Sequence, residues 1–165
     1  MTQIPANAPA SQEVARLKAQ LEALPSGARL KPSDTEVIYA QAYQYVAQGH
    51  FDMAFRYFSL LTLYRPTCIA YLAGLALSYK MLRRYAEALS VYSFMAAIDA
   101  GEPQHTLAIA ECLLLAGAED EARQTLDMVV RFCRERPGDA GCAKAGERAQ
   151  AMAALLSPGA ASDRQ

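Results

Sequence analysis

The sequence predicts an all-α protein built from tandem helix pairs, and three observations lead to this prediction. Small and large residues recur at intervals of 34 positions over three copies. Apolar residues within each copy follow the spacing of one face of an α-helix. The composition, 53% hydrophobic and 20% charged, is that of a folded globular chain. Repeated supersecondary units therefore account for most of the sequence.

Five positions of the repeat recur in phase. They hold Ala42, Ala76 and Ala110; Ala54, Ala88 and Ala122; Tyr45, Tyr79 and Leu113; Phe58, Tyr92 and Leu126; and Gly49, Arg83 and Gly117. Alanines on both helices of a pair allow a close crossing, and the large residues fill the space beside it. Glycine tolerates positive φ and supplies the turn between the helices. The turn at Arg83 has to form without glycine.

The repeats are predicted over residues 35–134, in phase as 35–68, 69–102 and 103–136. Apolar periodicity places six helices near residues 35–48, 51–64, 69–82, 85–98, 104–116 and 119–133. Ser33 and Glu36 have the spacing of a capping box ahead of the first of these helices. Pro103 suits the first turn of the fifth, where its missing N–H is not needed.

Two more helices are expected to flank the repeats. A heptad-like seam lies within a predicted N-terminal helix and linker over residues 11–32, at Val14, Leu17, Leu21 and Leu24. We expect this seam to serve one of three roles: a homodimer contact, a lid over a groove, or a binding site for a client. A capping helix is predicted over residues 139–156, because an apolar stripe follows helical spacing at Ala145, Ala149, Met152 and Leu156. Residues 1–10 and 157–165 are expected to be disordered tails.

Several function classes are disfavoured by the residues present. A net charge of −1 removes the electrostatic case for binding nucleic acid or an anionic membrane. The first ten residues lack the basic and apolar regions of a secretory signal, so we expect a cytoplasmic protein. The four cysteines and two histidines lack the spacing of a metal site, and no cofactor is expected. Three isolated aspartates near turns are typical of helix caps; they are Asp52, Asp99 and Asp120. Since no catalytic group of residues is found, we expect no enzymatic activity.

The 34-residue helix–turn–helix period resembles the tetratricopeptide repeat. Motifs in all three copies narrow the resemblance. They are Ile38-Tyr39-Ala-Gln-Ala42-Tyr43, Gln48-Gly49-His-Phe51-Asp-Met-Ala54, Tyr71-Leu-Ala-Gly74-Leu75-Ala76, Glu102-Pro103, Ala110-Glu111-Cys112-Leu113-Leu114 and Glu121-Ala122. This succession resembles the class II chaperones of bacterial type III secretion, which hold hydrophobic translocators before export. The resemblance implies a proline-containing client segment of the form Pro-x-Leu-x-x-Pro.

In a tetratricopeptide stack, the first helix of each pair lines a concave groove. The corresponding positions of this sequence are Tyr39, Ala40, Tyr43, Val46, Ala73, Gly74, Leu77, Lys80, Leu107, Ala108, Glu111 and Leu114. These residues are mostly aromatic, small or aliphatic, which excludes the cationic clamp used to bind a C-terminal carboxylate. We expect Tyr39 and Tyr43 to stack on the client, and Ala73 and Gly74 to admit its backbone. Alternatively, both tyrosines are core residues beneath the N-terminal helix.

The resemblance thus implies a bacterial cytoplasmic chaperone that binds hydrophobic translocators in its groove and keeps them soluble and competent for export. A homodimer is compatible with this function. The alternative is a general tetratricopeptide scaffold, or an escort of needle subunits that binds an amphipathic helix. An extended client segment distinguishes the first function from a helical ligand in the second.

Overall fold

The computed structural model describes residues 8–23 and 31–156, and within these ranges the chain forms eight α-helices and no strand. They are α1 (Ala8–Glu22), α2 (Pro32–Ala47), α3 (Phe51–Tyr64), α4 (Ile69–Met81), α5 (Tyr85–Ile98), α6 (Pro103–Leu115), α7 (Glu119–Arg134) and α8 (Ala140–Leu155). The predicted all-α class is confirmed. The six helices predicted for the repeats agree with α2 to α7 to within three residues at each end.

The start of α2 differs from the prediction. The helix begins at Pro32, and the backbone N–H of its cap residue Lys31 donates to Asp34 Oδ2 at 3.2 Å. The predicted capping box of Ser33 and Glu36 is therefore wrong, because proline is favourable at the first helical position and draws the start back to residue 32. Asp34 carries out the capping that was assigned to Glu36.

The first helix also begins earlier than expected. It starts at Ala8, so residues 8–10, which we placed in a disordered tail, are helical. The remaining residues of the two predicted tails lie outside the described part of the chain, as does Leu24 of the predicted seam. Of the other seam residues, Leu17 is exposed, while Val14 and Leu21 are half-buried. The role of the seam stays a prediction.

The chain divides into two compact units, and the boundary between Leu82 and Arg83 falls inside the second repeat. In the first unit α3 packs against both α2 and α4, and α2 also contacts α4. In the second unit each of the helices α5 to α8 packs against the next, and α6 contacts α8 as well. Both units are thus built by stacking neighbouring helices.

The alanine positions of the repeat are fully buried. All six have 0% exposure; they are Ala42, Ala54, Ala76, Ala88, Ala110 and Ala122. Aromatic residues pack beside the helix crossings, where Tyr45 lies 5.2 Å from Tyr57 and Tyr79 lies 5.0 Å from Phe55, between ring centroids. The six alanines are therefore core residues, and aromatic rings pack between neighbouring helices.

Turns between paired helices all use a residue in the left-handed region. Gly49 has φ +74° and Gly117 has φ +82°, and Arg83 takes the same conformation at φ +60°. A side chain bearing Cβ is disfavoured there by roughly 1–2 kcal/mol. The second repeat therefore tolerates local strain that glycine avoids in the other two.

Replacing Arg83 by glycine should raise the free energy of unfolding by about 0.5–1 kcal/mol. Relief of the left-handed strain exceeds the entropy that glycine adds to the unfolded chain. Urea unfolding followed by circular dichroism measures the change. Arg83→Ala is the matched control: it removes the same charge but keeps Cβ, and should leave stability nearly unchanged. An equal gain from Arg83→Ala would contradict the backbone explanation.

Candidate functional site

An aromatic cluster joins the three repeat helices of the first unit. The Tyr39 ring lies 4.8 Å from Tyr43, 6.2 Å from Phe58 and 5.4 Å from Tyr71, between centroids. Tyr43 also meets Phe58 edge-on at 5.3 Å. Such edge-to-face pairs add stability beyond the area they bury. The cluster packs the two α2 tyrosines against α3 and α4.

The two α2 tyrosines differ in accessibility. Tyr39 is half-buried, whereas Tyr43 keeps 40% of its surface exposed. Burial, together with a hydrogen bond to Tyr43, raises the pKa of the Tyr39 hydroxyl well above its ordinary value. The hydroxyl therefore stays protonated at physiological pH. Tyr43 is the aromatic residue of this cluster that a ligand can reach most readily.

Helix α4 contributes apolar residues at the positions that correspond to the tyrosines of α2. Ala73 matches Tyr39, and Leu77 matches Tyr43, one repeat of 34 residues later; both are half-buried. Alternate helices of a helix–turn–helix stack run in the same direction, so equivalent positions lie on the same side. We call Tyr39, Tyr43, Ala73 and Leu77 the α2–α4 surface. Ala40 is exposed at its edge, and Val46 and Lys80 are half-buried on the same two helices.

Gly74 does not line a groove for the client backbone, as the sequence predicted. It is buried, and a Cβ built on it would stand 2.2 Å from two carbon atoms of the Phe58 ring. The missing side chain therefore makes room for Phe58 of α3 and not for the backbone of a bound peptide. The assignment of Gly74 to the groove is corrected to a packing role between α3 and α4.

Leu107 is likewise a core residue and not part of a groove. It is 1% exposed and belongs to the main apolar core of the second unit, together with Ala110, Leu126, Val129, Val130, Ala145 and Ala149. Helix α8 supplies the last two residues and covers this side of α6. A peptide cannot reach Leu107 while α8 is in place.

The second unit presents a separate apolar pocket between α6 and α8. Its volume is about 260 Å³, and it is lined by Glu111, Leu114, Leu115 and Met152; we call it the α6–α8 pocket. Glu111 is not free to bind a peptide backbone, since its Oε1 accepts from Arg148 Nη2 at 2.6 Å. The predicted groove residue Ala108 is half-buried on the same helix.

Sequence reasoning missed three residues at these places. Phe58 and Tyr71 hold the α2 tyrosines, and Arg148 holds Glu111. The 34-residue register marked Phe58 as a large packing residue, yet it gave no partner for it. Arg148 lies outside the repeats, so no repeat position pointed to it.

Metal and membrane chemistry receive no support from the described residues. Among residues 8–23 and 31–156, no group of three or more His, Cys, Asp or Glu side chains could hold a metal ion. No helix in these ranges has both the length and the apolar character needed to cross a bilayer. The chemistry available at the α2–α4 surface and the α6–α8 pocket is apolar contact with a few hydrogen bonds.

Comparison with known proteins finds the tetratricopeptide repeat and solved structures of similar fold. A sequence profile described as Tetratricopeptide repeat matches residues 81–132. PcrH in complex with the chaperone binding region of PopD is 26% identical, with a TM-score of 0.67, covering 78% of this chain and 94% of PcrH. Free PcrH from Pseudomonas aeruginosa is 27% identical, with a TM-score of 0.66, covering 77% of this chain and 94% of PcrH.

A third structure shares the fold at lower identity. The type III secretion translocator chaperone SycD from Yersinia enterocolitica is 23% identical, with a TM-score of 0.66, covering 76% of this chain and 91% of SycD. No curated protein matches the sequence significantly. The similarity to these structures extends over most of the chain and includes helices outside the 52 residues matched by the repeat profile.

Proposed function

We propose that this chain, which resembles the class II chaperones of type III secretion in sequence and fold, binds hydrophobic translocators and keeps them soluble and competent for export. The observation that carries the proposal is the α2–α4 surface on a fold shared with PcrH, whose structure contains a bound chaperone-binding region. The protein acts by mass action: binding apolar client segments lowers the concentration of aggregation-prone chain. It needs no catalytic residue, and we place it in the bacterial cytoplasm.

An extended, proline-containing segment fits the α2–α4 surface. Such a segment is already close to the polyproline conformation, so little entropy is lost when it binds, and aromatic walls pack well against proline rings. The accessible ring of Tyr43 supplies the wall, while Ala73 offers a side chain small enough for close approach. Leu77 adds aliphatic surface one turn further along α4.

Binding by this surface alone is weak. Burying roughly 300 Å² of apolar area gives about 7 kcal/mol before the cost of ordering both partners. A short peptide should therefore bind with a Kd in the micromolar range or weaker. We assign the α6–α8 pocket to an aliphatic side chain of the client, which is one of the further contacts that tight holding requires.

The test is fluorescence anisotropy of a labelled Pro-x-Leu-x-x-Pro peptide titrated with the native protein and its variants. Tyr43→Ala should weaken binding about tenfold, equivalent to about 1.4 kcal/mol, and Leu77→Glu should abolish it by placing a charge against apolar peptide. The matched controls lie on α3: Leu60→Ala at a site 39% exposed, close to the exposure of Tyr43, and Leu63→Glu at a site 64% exposed. Both should bind like the native protein.

Two results would contradict this assignment. If the α3 controls lost peptide binding to the same extent, the variants would be acting by disturbing the fold and not by changing the α2–α4 surface. No binding by the native protein, together with saturable binding of an amphipathic helical peptide, would favour the needle-subunit escort. Circular dichroism of each variant establishes that it remains helical.

A further inference from the structure

A cavity of the first unit lies between helix α1 and the turn that joins α3 to α4. Its volume is about 470 Å³, and we call it the α1–turn pocket. It is lined by one residue of α1 and by five consecutive residues at the turn, which are Lys18, Tyr64, Arg65, Pro66, Thr67 and Cys68. None of these residues belongs to the α2–α4 surface or to the α6–α8 pocket. The α1–turn pocket is therefore a separate place that can receive part of a ligand.

The charged side chains that line this pocket are both cationic. Lys18 and Arg65 are exposed, and no Asp or Glu is among the described residues of the lining. Neither cation forms an ion pair with a residue in the ranges 8–23 and 31–156, whereas Arg84, Arg123 and Arg148 each pair with a carboxylate. The pocket thus holds two positive charges that no side chain in these ranges neutralises.

The start of α4 adds to the positive potential that the two cations create. A helix N-terminus carries a partial positive charge from its free N–H groups. The cap residue Cys68 makes no capping hydrogen bond through its side chain, and the first turn of α4 holds no acidic residue. Tyr64 and Pro66 are half-buried and supply apolar walls. An acidic side chain suits this combination, because its carboxylate meets the cations and its methylene groups meet the walls.

The pocket borders the end of the α2–α4 surface at which α4 begins. Tyr71, in the first turn of α4, packs against Tyr39 with 5.4 Å between the ring centroids. Ala73 lies five residues after Cys68, which is about 8 Å along the helix axis at about 1.5 Å per residue. An extended peptide covers this distance in about three residues. A client segment on Ala73 and Leu77 therefore reaches the pocket with a residue just outside its proline-containing part.

We propose that the α1–turn pocket binds the carboxylate of an acidic residue that flanks the client's proline-containing segment. The inference rests on the proposed function, because it concerns the same client at the same surface. Lys18 and Arg65 donate charge-assisted hydrogen bonds to the two carboxylate oxygens. Both cations are exposed to solvent, so the ion pairs tighten binding severalfold and not by orders of magnitude. Helix α1 thereby takes part in binding the client through Lys18.

The test measures the affinity of three labelled peptides by fluorescence anisotropy. One is a Pro-x-Leu-x-x-Pro peptide flanked by glutamines, and in the other two glutamates replace the glutamines on the N-terminal or on the C-terminal side. Blocked peptide ends confine the charge difference to these glutamates. Glutamate on one side should tighten binding about fivefold in about 0.1 M salt, and on the other side it should have little effect.

Salt separates this ion pairing from apolar contact. Between about 0.1 M and about 1 M salt the Debye length falls from about 10 Å to about 3 Å. The advantage of the glutamate peptide should disappear over this range, while the glutamine peptide keeps its affinity. An advantage that persists in about 1 M salt would overturn the ion pairing.

Lys18→Gln and Arg65→Gln should each remove most of the gain from glutamate and should bind the glutamine peptide like the native protein. The matched controls are Arg16→Gln on α1 and Arg56→Gln on α3. Each control removes an exposed cation that does not line the pocket, and each should keep the gain.

Three results would overturn the inference. Equal binding of the three peptides by the native protein would leave the proposed function intact and remove the acidic contact. An equal gain from both glutamate peptides, or a gain that the control variants lose as fully as Lys18→Gln does, would show that net charge acts and not the pocket. A native protein that binds none of the peptides would contradict both the inference and the proposed function.

Discussion

Gly74→Ala is expected to lower the free energy of unfolding by about 1–2 kcal/mol, the cost of overpacking a buried contact less the helix propensity that alanine adds. The added Cβ would stand 2.2 Å from the fully buried Phe58 ring, so α3 and α4 would have to move apart. Urea unfolding followed by circular dichroism measures the loss.

Two further variants separate this clash from a general effect of losing glycine. Gly101→Ala meets nothing within 4 Å and should change stability by less than about 0.5 kcal/mol. Gly74→Ala combined with Phe58→Leu should be more stable than the sum of the single changes predicts, because the shorter side chain leaves room for Cβ. If Gly74→Ala had the same free energy of unfolding as the native protein, the packing role would be refuted and Gly74 would again be assigned to the groove.

Leu107→Ala is expected to cost about 2–5 kcal/mol of stability, because it leaves a cavity in the core that α6, α7 and α8 share. Leu115→Ala removes the same atoms from the same helix at a site 55% exposed, and should cost less than about 1 kcal/mol. The two variants are compared by urea unfolding.

The comparison also tests whether Leu107 lines a binding groove. If it did, Leu107→Ala would leave stability close to that of Leu115→Ala and would weaken peptide binding. Equal stability of the two variants would therefore contradict the core assignment. The structure predicts a clear difference in stability, with the peptide affinity of Leu107→Ala unchanged under conditions where that variant is folded.

The repeat register makes the helices and the crossing residues predictable. A strict spacing of 34 residues fixes which side of each helix faces its partner, so the spacing alone is enough to assign the six alanines to the core. The same register locates the turns and marks Arg83 as the exception, although the left-handed conformation of Arg83 follows from the turn geometry and not from its residue type.

Contacts made by residues outside the register could not be predicted in the same way. Leu107 occupies a position that lines the inner side of a repeat, but α8 follows the last repeat and covers that side. Arg148, also on α8, pairs with Glu111. Gly74 failed for another reason: a small residue can admit either a ligand or a neighbouring ring, and only the placement of Phe58 decides between them.

The most direct test of the account is co-expression of the protein with the hydrophobic translocators of its own secretion system, followed by measurement of the soluble translocator fraction. The native chain and the Leu63→Glu control should both keep a translocator soluble and purify with it. The Leu77→Glu variant should leave it in the insoluble fraction while remaining folded itself. Translocators that stay insoluble with the native chain, or soluble with all three proteins, would contradict a chaperone role at the α2–α4 surface.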